Sequence, residues 1–282
     1  VQDDRFITVT VGETTYKFDR GRGRIAAIVH NGRELITEPA RLTVWRAPTD
    51  NDRNIQREWR RWGFHRLTEK CYSMELVESD SDRAVIKSSI SLGGYTIRPV
   101  IRAEATYTVT RCGSLEIEYN VKVDKEAPFL PRFGLALVMP ELTERLRFFG
   151  LGPGEAYVDK NLNARLGLHE VSVTDNYEHY IFPQESGSHA GTRWAEVLSL
   201  TGHGLRFESD MPLTVSALHY SAEQLDAARN DRDLVPDRET YVYIDYKQSG
   251  IGSNSCGPAL AEKYRFSEKE FSYKLKITPV QE

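Results

Sequence analysis

The segment Trp45-Arg46-Ala47-Pro48-Thr49-Asp50-Asn51-Asp52 reads as a folded-in functional loop rather than as filler between strands. Pro48 fixes its own backbone angle and drives Ala47 out of helical space, while Asp50, Asn51 and Asp52 are turn formers whose side chains fold back onto nearby amides. The same residues also fit an ordinary capped turn ahead of a short helix. A second candidate is the loop 250–258, in which three glycines and a closing proline shape a tight path. Within it Ser253, Asn254, Ser255 and Cys256 offer small polar groups with no apolar purpose, set against the plain reading of a connecting turn.

Other chemistry is less well supported. Glycoside hydrolysis needs two carboxyl groups, about 5–5.5 Å apart when configuration is retained; with 41 acidic residues, residue type singles out no pair. Gly150-Leu151-Gly152-Pro153-Gly154 superficially resembles a dinucleotide fingerprint. Pro153 and the lack of a following helix exclude it and favour a tight glycine loop between strands. His169, His179, His189 and His203 are too widely spread for a metal site and read as surface or loop residues. Gly187-Ser188-His189 lacks the Gly-x-Ser-x-Gly pattern of a nucleophile elbow. Tyr177, Tyr180 and Phe182 could stack on a sugar, but alternating aromatics more often face a core, which is the expectation here.

The elements that must position these groups are strands. In Leu115-Glu116-Ile117-Glu118-Tyr119-Asn120-Val121-Lys122-Val123 every odd residue is apolar and every even one polar, the pattern of an antiparallel strand with one wet face. Residues 271–278 repeat it, and similar runs lie at 24–29, 83–92, 101–109, 133–139, 214–218 and 241–244. Asn31-Gly32, Gly93-Gly94 and Cys112-Gly113-Ser114 separate some of them as turns. Helical signal is confined to Ile55, Trp59 and Trp62, which share one face, and to a capping box at Ser221-Ala222-Glu223-Gln224 opening a helix through about Arg229. No strand-helix alternation runs along the chain, so a β/α barrel is excluded. The expected fold is all-β, with residues 1–282 forming one large two-sheet sandwich and only short helices.

Composition bounds the partners. A chain of 282 residues, 40% hydrophobic and 28% charged, is an ordinary globular protein able to bury a large core. Its net charge of −4 gives no reason to expect nucleic acid, and Arg57, Arg60 and Arg61 form only a local cluster. Cys71, Cys112 and Cys256 are odd in number and far apart, which fits a reducing compartment and suggests neither disulfide nor zinc. No apolar run approaches a membrane span, and Val1-Gln2-Asp3-Asp4-Arg5 lacks the features of a signal peptide; a cytoplasmic location is the expectation.

Four segments, in order, carry a family resemblance: 45–52; Phe149-Gly150-Leu151-Gly152-Pro153-Gly154-Glu155-Ala156-Tyr157; Tyr177-Glu178-His179-Tyr180-Ile181-Phe182-Pro183-Gln184-Glu185-Ser186-Gly187 running into Gly191-Thr192-Arg193; and Asp245-Tyr246 followed by 250–258. Together they resemble the C-terminal, or small-chain, domain of family 2 β-galactosidases. The resemblance implies a galactose-mutarotase-like super-sandwich of two large antiparallel sheets. It implies a non-catalytic part of an enzyme that hydrolyses terminal β-galactosides with retention. The two catalytic glutamates, and the Mg and Na that the catalytic domain of the family commonly binds, would lie in a separate β/α barrel, fused or on another chain, within a homo-oligomer. It also implies that Asp50, Asn51, Asp52 and Asn54 lie at the mouth of the active site, and that Ser253, Asn254, Ser255 and Cys256 wall the aglycone site. The corresponding loop in the family often reads Gly-Gly-Asp-Asp-Ser-Trp-Gly-Pro, so Cys256 stands where that tryptophan would be. Two rivals from other classes are a stand-alone aldose 1-epimerase, which needs a His acid and a carboxylate base in one cleft, and a carbohydrate-binding module.

Overall fold

Alternation of apolar and polar residues buries one face of a strand and wets the other, and antiparallel hairpins built this way make up most of the molecule. The structure, a computed structural model, describes residues 1–94, 98–252 and 257–282. In chain order the elements are β1 (Phe6–Val11), β2 (Thr14–Asp19), β3 (Arg24–His30), β4 (Arg33–Glu34), β5 (Glu38–Thr43), α1 (Ile55–Arg61), β6 (Thr68–Ser79), β7 (Arg83–Gly93), β8 (Ile101–Thr110) and β9 (Leu115–Val123). They continue with β10 (Arg132–Met139), β11 (Thr143–Gly152), β12 (Arg165–Ser172), β13 (Ser188–Ser199), β14 (His203–Leu218), α2 (Ala222–Ala227), β15 (Thr240–Gln248) and β16 (Glu270–Gln281).

Strands β1 to β4 form a four-stranded sheet in sequence order. Asn31 and Gly32, with φ of 50° and 72°, make the left-handed turn that closes its last hairpin. The other twelve strands share one hydrogen-bonded sheet whose path runs β12-β11-β13-β14-β16-β9-β8-β7-β6. At β14 this sheet branches. Its first half, His203 to Glu208, pairs with β16, and its second half, Thr214 to Leu218, pairs with β15, which leads on to β10 and β5. Pro212 stands in the exposed stretch between the two halves, where its missing N–H disturbs no ladder. This branch folds one face of the sheet over the other, giving the expected all-β sandwich.

The core runs between the layers as a chain of aromatic rings. Phe18 of the small sheet meets Tyr107 at 5.3 Å, and the contacts continue through Tyr119 and Tyr273 to Phe133 and Phe271. The polar tips are satisfied, since Tyr273 donates to the Ile244 carbonyl at 2.8 Å and Tyr16 to that of Gly113 at 2.7 Å. Strand β9 shows the alternating burial its sequence demands, whereas β10 is buried along its whole length because β5 and β15 flank it and both faces are covered. Both helices form where they were expected. Trp59 of α1 is fully buried and donates its indole N–H to the Phe129 carbonyl, and the capping box of α2 closes through Ser221 and Gln224, though the helix stops at Ala227.

Replacing Phe133, which has no exposed surface and packs edge-on against Phe271 at 5.1 Å and Tyr273 at 6.2 Å, removes a buried link of this aromatic chain. Phe133→Ala is expected to cost about 3–5 kcal/mol, read as a lower urea midpoint at unchanged slope.

Candidate functional site

Four connections gather at one end of the sandwich: 44–54 after β5, 153–164 after β11, 173–187 before β13, and 249–252 after β15. The first and last of them are tied together through Arg46, whose side chain has no exposed surface. A buried guanidinium must have its donors met, and five contacts meet them. Nη2 reaches both Asp52 oxygens at 2.8 and 3.0 Å, Nε reaches Oδ2 at 3.2 Å, Nη2 also donates to the Gly250 carbonyl at 3.1 Å, and Nη1 donates to that of Ser249. The Trp59 ring lies 5.6 Å from the guanidinium. Asp52 Oδ2 in turn accepts from the Thr49 amide and hydroxyl at 3.0 and 3.3 Å, so one carboxylate both caps the 3-10 turn Asp50–Asp52 and neutralises Arg46.

A second buried guanidinium lies deeper. Arg132 donates to Asp245 at 3.0 Å and to Glu185 at 2.9 Å, and its charge centre sits 4.6 Å from the Tyr243 ring. Glu185 also accepts from Ser188 at 2.9 Å and Gln248 at 3.0 Å, while its amide donates to the Ala47 carbonyl at 3.1 Å. The Asp245 carboxyl is pushed up to about 7, first by burial and then by the Glu185 charge, against the pull of Arg132. That proton affinity suits a general acid, but Asp245 has no exposed surface and serves the core. A third cluster centres on buried Glu155, which accepts from the Lys160 ammonium, the Tyr180 and Tyr157 hydroxyls and the Gly187 amide. Burial lowers the proton affinity of Lys160, but the Glu155 and Tyr180 contacts outweigh it and raise the pKa.

These clusters place the residues expected from sequence. Asp50 is exposed, with its amide held by Gln184 Oε1 at 3.0 Å, and it borders a cleft of about 530 Å³ whose walls include Arg53, Gln56, Phe182 and Asp226. Asn51, Asp52 and Asn54 border an adjoining cleft of about 300 Å³ with Phe129, Gly250 and Leu260. Asn51 reaches across to the Ile251 carbonyl. Asp52 turns its carboxylate inward onto Arg46, leaving Asp50 and Asn54 as the exposed members of the group. Ser253, Asn254, Ser255 and Cys256 lie outside the described residues; the segment leading to them, Gly250 to Gly252, is held at this end of the sandwich.

Three expectations need correction. His189 is fully buried rather than on a surface loop, because it points inward from β13 and packs against Phe148 at a ring distance of 4.1 Å. Of the three aromatics expected in the core, only Tyr177 is fully inside; Tyr180 serves Glu155, and Phe182 is half exposed beside the larger cleft. Gly150 and Gly152 belong to β11 itself, where an added Cβ would strike Thr192 or His169, so close strand packing selects glycine there. Arg132, Glu155, Asp159 and Glu185 are site residues that sequence reasoning missed. One signal was available for the hub, since Asp245 is an acid at an inward-facing position of an apolar strand and so demands a buried partner.

Three acids at this end are engaged, Asp52 by Arg46, Asp226 by Arg60, and Asp159 by the amides of Ile251 and Gly252, while Asp50 stays exposed on the larger cleft. The His–carboxylate pairs His179–Asp231, at 3.0 Å, and His219–Glu144, at 2.8 Å, line neither cleft. The arrangement shapes and holds a surface.

A family model described as "Beta galactosidase small chain" matches residues 10–277. The β-galactosidase of Staphylococcus xylosus is 37% identical over 279 residues, 98% of this chain and 28% of that protein. That of Actinobacillus pleuropneumoniae is 34% identical over 284 residues, 98% of this chain and 27% of that protein. The chain therefore spans just over a quarter of the length of these relatives. Among solved structures, a galactose mutarotase-like protein from Lactobacillus casei aligns with a TM-score of 0.51 at 9% identity, covering 98% of this chain and 100% of that one. A galactose 1-epimerase from Lactobacillus acidophilus aligns at 0.50 with 11% identity, covering 100% and 97%. Both likenesses are of fold.

Burial pushes the His189 imidazole down to about 4. Asn176 donates both amide hydrogens, to the carbonyls of Gly187 and Ala217, so its oxygen must accept from His189 Nε2 at 2.8 Å and fixes the neutral tautomer. Between pH 6.5 and 4 the unfolded chain therefore takes up a proton here that the folded chain refuses, and stability falls as pH falls. In urea unfolding across this range, wild type is expected to lose on the order of 3 kcal/mol relative to His189→Gln.

Proposed function

This chain belongs to the β-galactosidase small-chain family, and from that premise we propose that it is the non-catalytic C-terminal domain or small subunit of an enzyme that hydrolyses terminal β-D-galactosides with retention of configuration. Residues 1–282 act as one domain. The catalytic acid and nucleophile belong to a β/α-barrel portion, fused or on a second chain, and this chain completes the wall of the active site and buries part of the partner. Asp50, Asn51, Asp52 and Asn54 stand at the mouth of that site, and Ser253, Asn254, Ser255 and Cys256 border the aglycone. The assembled enzyme is a cytoplasmic homo-oligomer.

The observation that carries this reading is the convergence on Arg46 of segments 203 positions apart, which roots the 250–258 segment beside Asn51 and Asp52. An independent epimerase would have no use for such a root. The Mg and Na of such enzymes are assigned in this reading to the catalytic portion. No helix among the described residues is long and apolar enough to cross a membrane.

Two measurements test the proposal. The chain alone is expected to leave a nitrophenyl β-galactoside untouched, and hydrolysis is expected once the catalytic portion is supplied; turnover by the chain alone, lost on replacing one of its own acids, would refute it. In the complete enzyme Cys256→Trp is expected to lower the Michaelis constant for lactose by up to about tenfold, because a sugar face packs on an indole as it cannot on a thiol. The inhibition constant of galactose, bound deeper, should hardly move, and equal changes in both constants would place 253–256 away from the aglycone.

A further inference from the structure

We propose that Asp159 is a positioning residue for aglycone recognition, acting as a clamp on the root of the 250–258 segment; the proposal rests on the reading of that segment given above. Its carboxylate spans two consecutive amides, accepting from Ile251 at 2.9 Å on Oδ1 and from Gly252 at 2.7 Å on Oδ2. A carboxylate bridging successive N–H groups makes two charge-assisted bonds and fixes the orientation of the peptide between them. The approach is close enough to dictate sequence. A Cβ on Gly250 would lie 2.4 Å from Asp159 Oδ2, and one on Gly252 would lie 3.0 Å from it. Both glycines are thereby explained as room for the carboxylate.

The opposite side of the same short segment is held independently. Arg46 takes the carbonyls of Ser249 and Gly250, and Asn51 takes that of Ile251. Residues 249–252 are thus gripped by their carbonyls from the Arg46 side and by their amides from the Asp159 side. Asp159 can act this way because its own turn is fixed. Tyr157 and Lys160 exchange backbone hydrogen bonds at 2.9 and 3.2 Å, Lys160 is anchored on Glu155, and Ala156 is stitched into β13 through Ser188 and Ala190 at 2.7 and 2.9 Å. A negative group on a rigid turn, aimed at two amides 92 and 93 positions further along the chain, is preorganised.

The test uses the complete enzyme, containing both this chain and its catalytic portion, as wild type, Asp159→Asn, Asp159→Ala and Gly250→Ala. Hydrogen exchange of the peptide covering 249–258 reads the clamp directly, and the kinetics read its purpose. The expected result is lost protection in Asp159→Ala, a rise of about tenfold in the Michaelis constant for lactose, and an unchanged inhibition constant for galactose. Asp159→Asn keeps one acceptor and should give a smaller rise, while Gly250→Ala, which breaks the contact from the other side, should reproduce the selectivity. Unchanged protection in a folded Asp159→Ala enzyme overturns the clamp. Lost protection with equal changes for lactose and galactose overturns the positioning role and leaves a structural one. Should wild type fail to hydrolyse any β-galactoside while protection still depends on Asp159, the functional reading falls and the aglycone role with it, but the clamp stands. If Asp159→Ala does not fold, Asp159→Asn and Gly250→Ala decide by the same criteria.

Discussion

One guanidinium with no access to solvent fixes the geometry of this site. A buried cation is costly unless its charge and donors are met, and the groups that meet those of Arg46 come from two distant stretches of chain, Asp52 on one side and the carbonyls of Ser249 and Gly250 on the other. The consequence spreads outward. Asp52 is held so that it also caps the turn leading into α1, α1 is then aimed so that Trp59 lies beneath the guanidinium, and the Trp59 indole bonds to the Phe129 carbonyl just before β10. Removing one partner of such a pair strands the other, at a cost on the order of 3–5 kcal/mol, and it would release helix and loop together.

Arg132 is a second buried cation one layer deeper, with Nε and Nη2 met by carboxylates and Nη1 left without a hydrogen-bond partner among the described residues, and the two sites are connected. Its partner Glu185 donates its amide to Ala47, next to Arg46, and Asp245 and Gln248 stand on β15, which runs directly into Ser249. Burial of these charges is a poor route to stability, because the Coulomb gain barely offsets desolvation. What they contribute is definition. Apolar contacts are tolerant of sliding, whereas a forked guanidinium accepts one arrangement of carboxylates and carbonyls, so the loop end of the sandwich is specified more sharply than its apolar middle.

The strands most legible in the sequence were those with one wet and one apolar face, although β1, β2 and β6 were not read despite a wet face. Residues 115–123 and 101–109 alternate cleanly and fold with alternating burial. Strand β11 was read only as a motif because apolar residues point both ways. Leu146 and Phe148 face the core, while Phe149 and Leu151 face outward beside Leu166 and Leu168, so the period of two is lost. Strand β13 was hidden for the opposite reason, since Ser188, His189 and Thr192 are polar yet buried, each satisfied by a partner far away or in a local turn. The loop clusters were legible as motifs and illegible as contacts. Nothing near Asp159 announces that it meets Ile251, and nothing near Arg132 announces Glu185, because long-range ion pairs leave no local periodicity.

The same sandwich frames mutarotase-like proteins at 9–11% identity, so the frame does not prescribe the chemistry, and the difference must lie in what the loops do with their charges. In an enzyme acting alone on a sugar, an acid and a base must face the substrate with their protons available. Here five acids turn the other way. Asp52 faces Arg46, Glu155 faces Lys160 and a backbone amide, Asp159 faces two amides, and Glu185 and Asp245 face Arg132. A carboxylate turned onto backbone amides and buried cations does not face a ligand, but it holds a peptide segment still. That is the property required of a wall whose reacting groups are supplied by another part of the enzyme, since misplacing such a wall by an ångström would alter which leaving groups fit without altering the chemistry beside it.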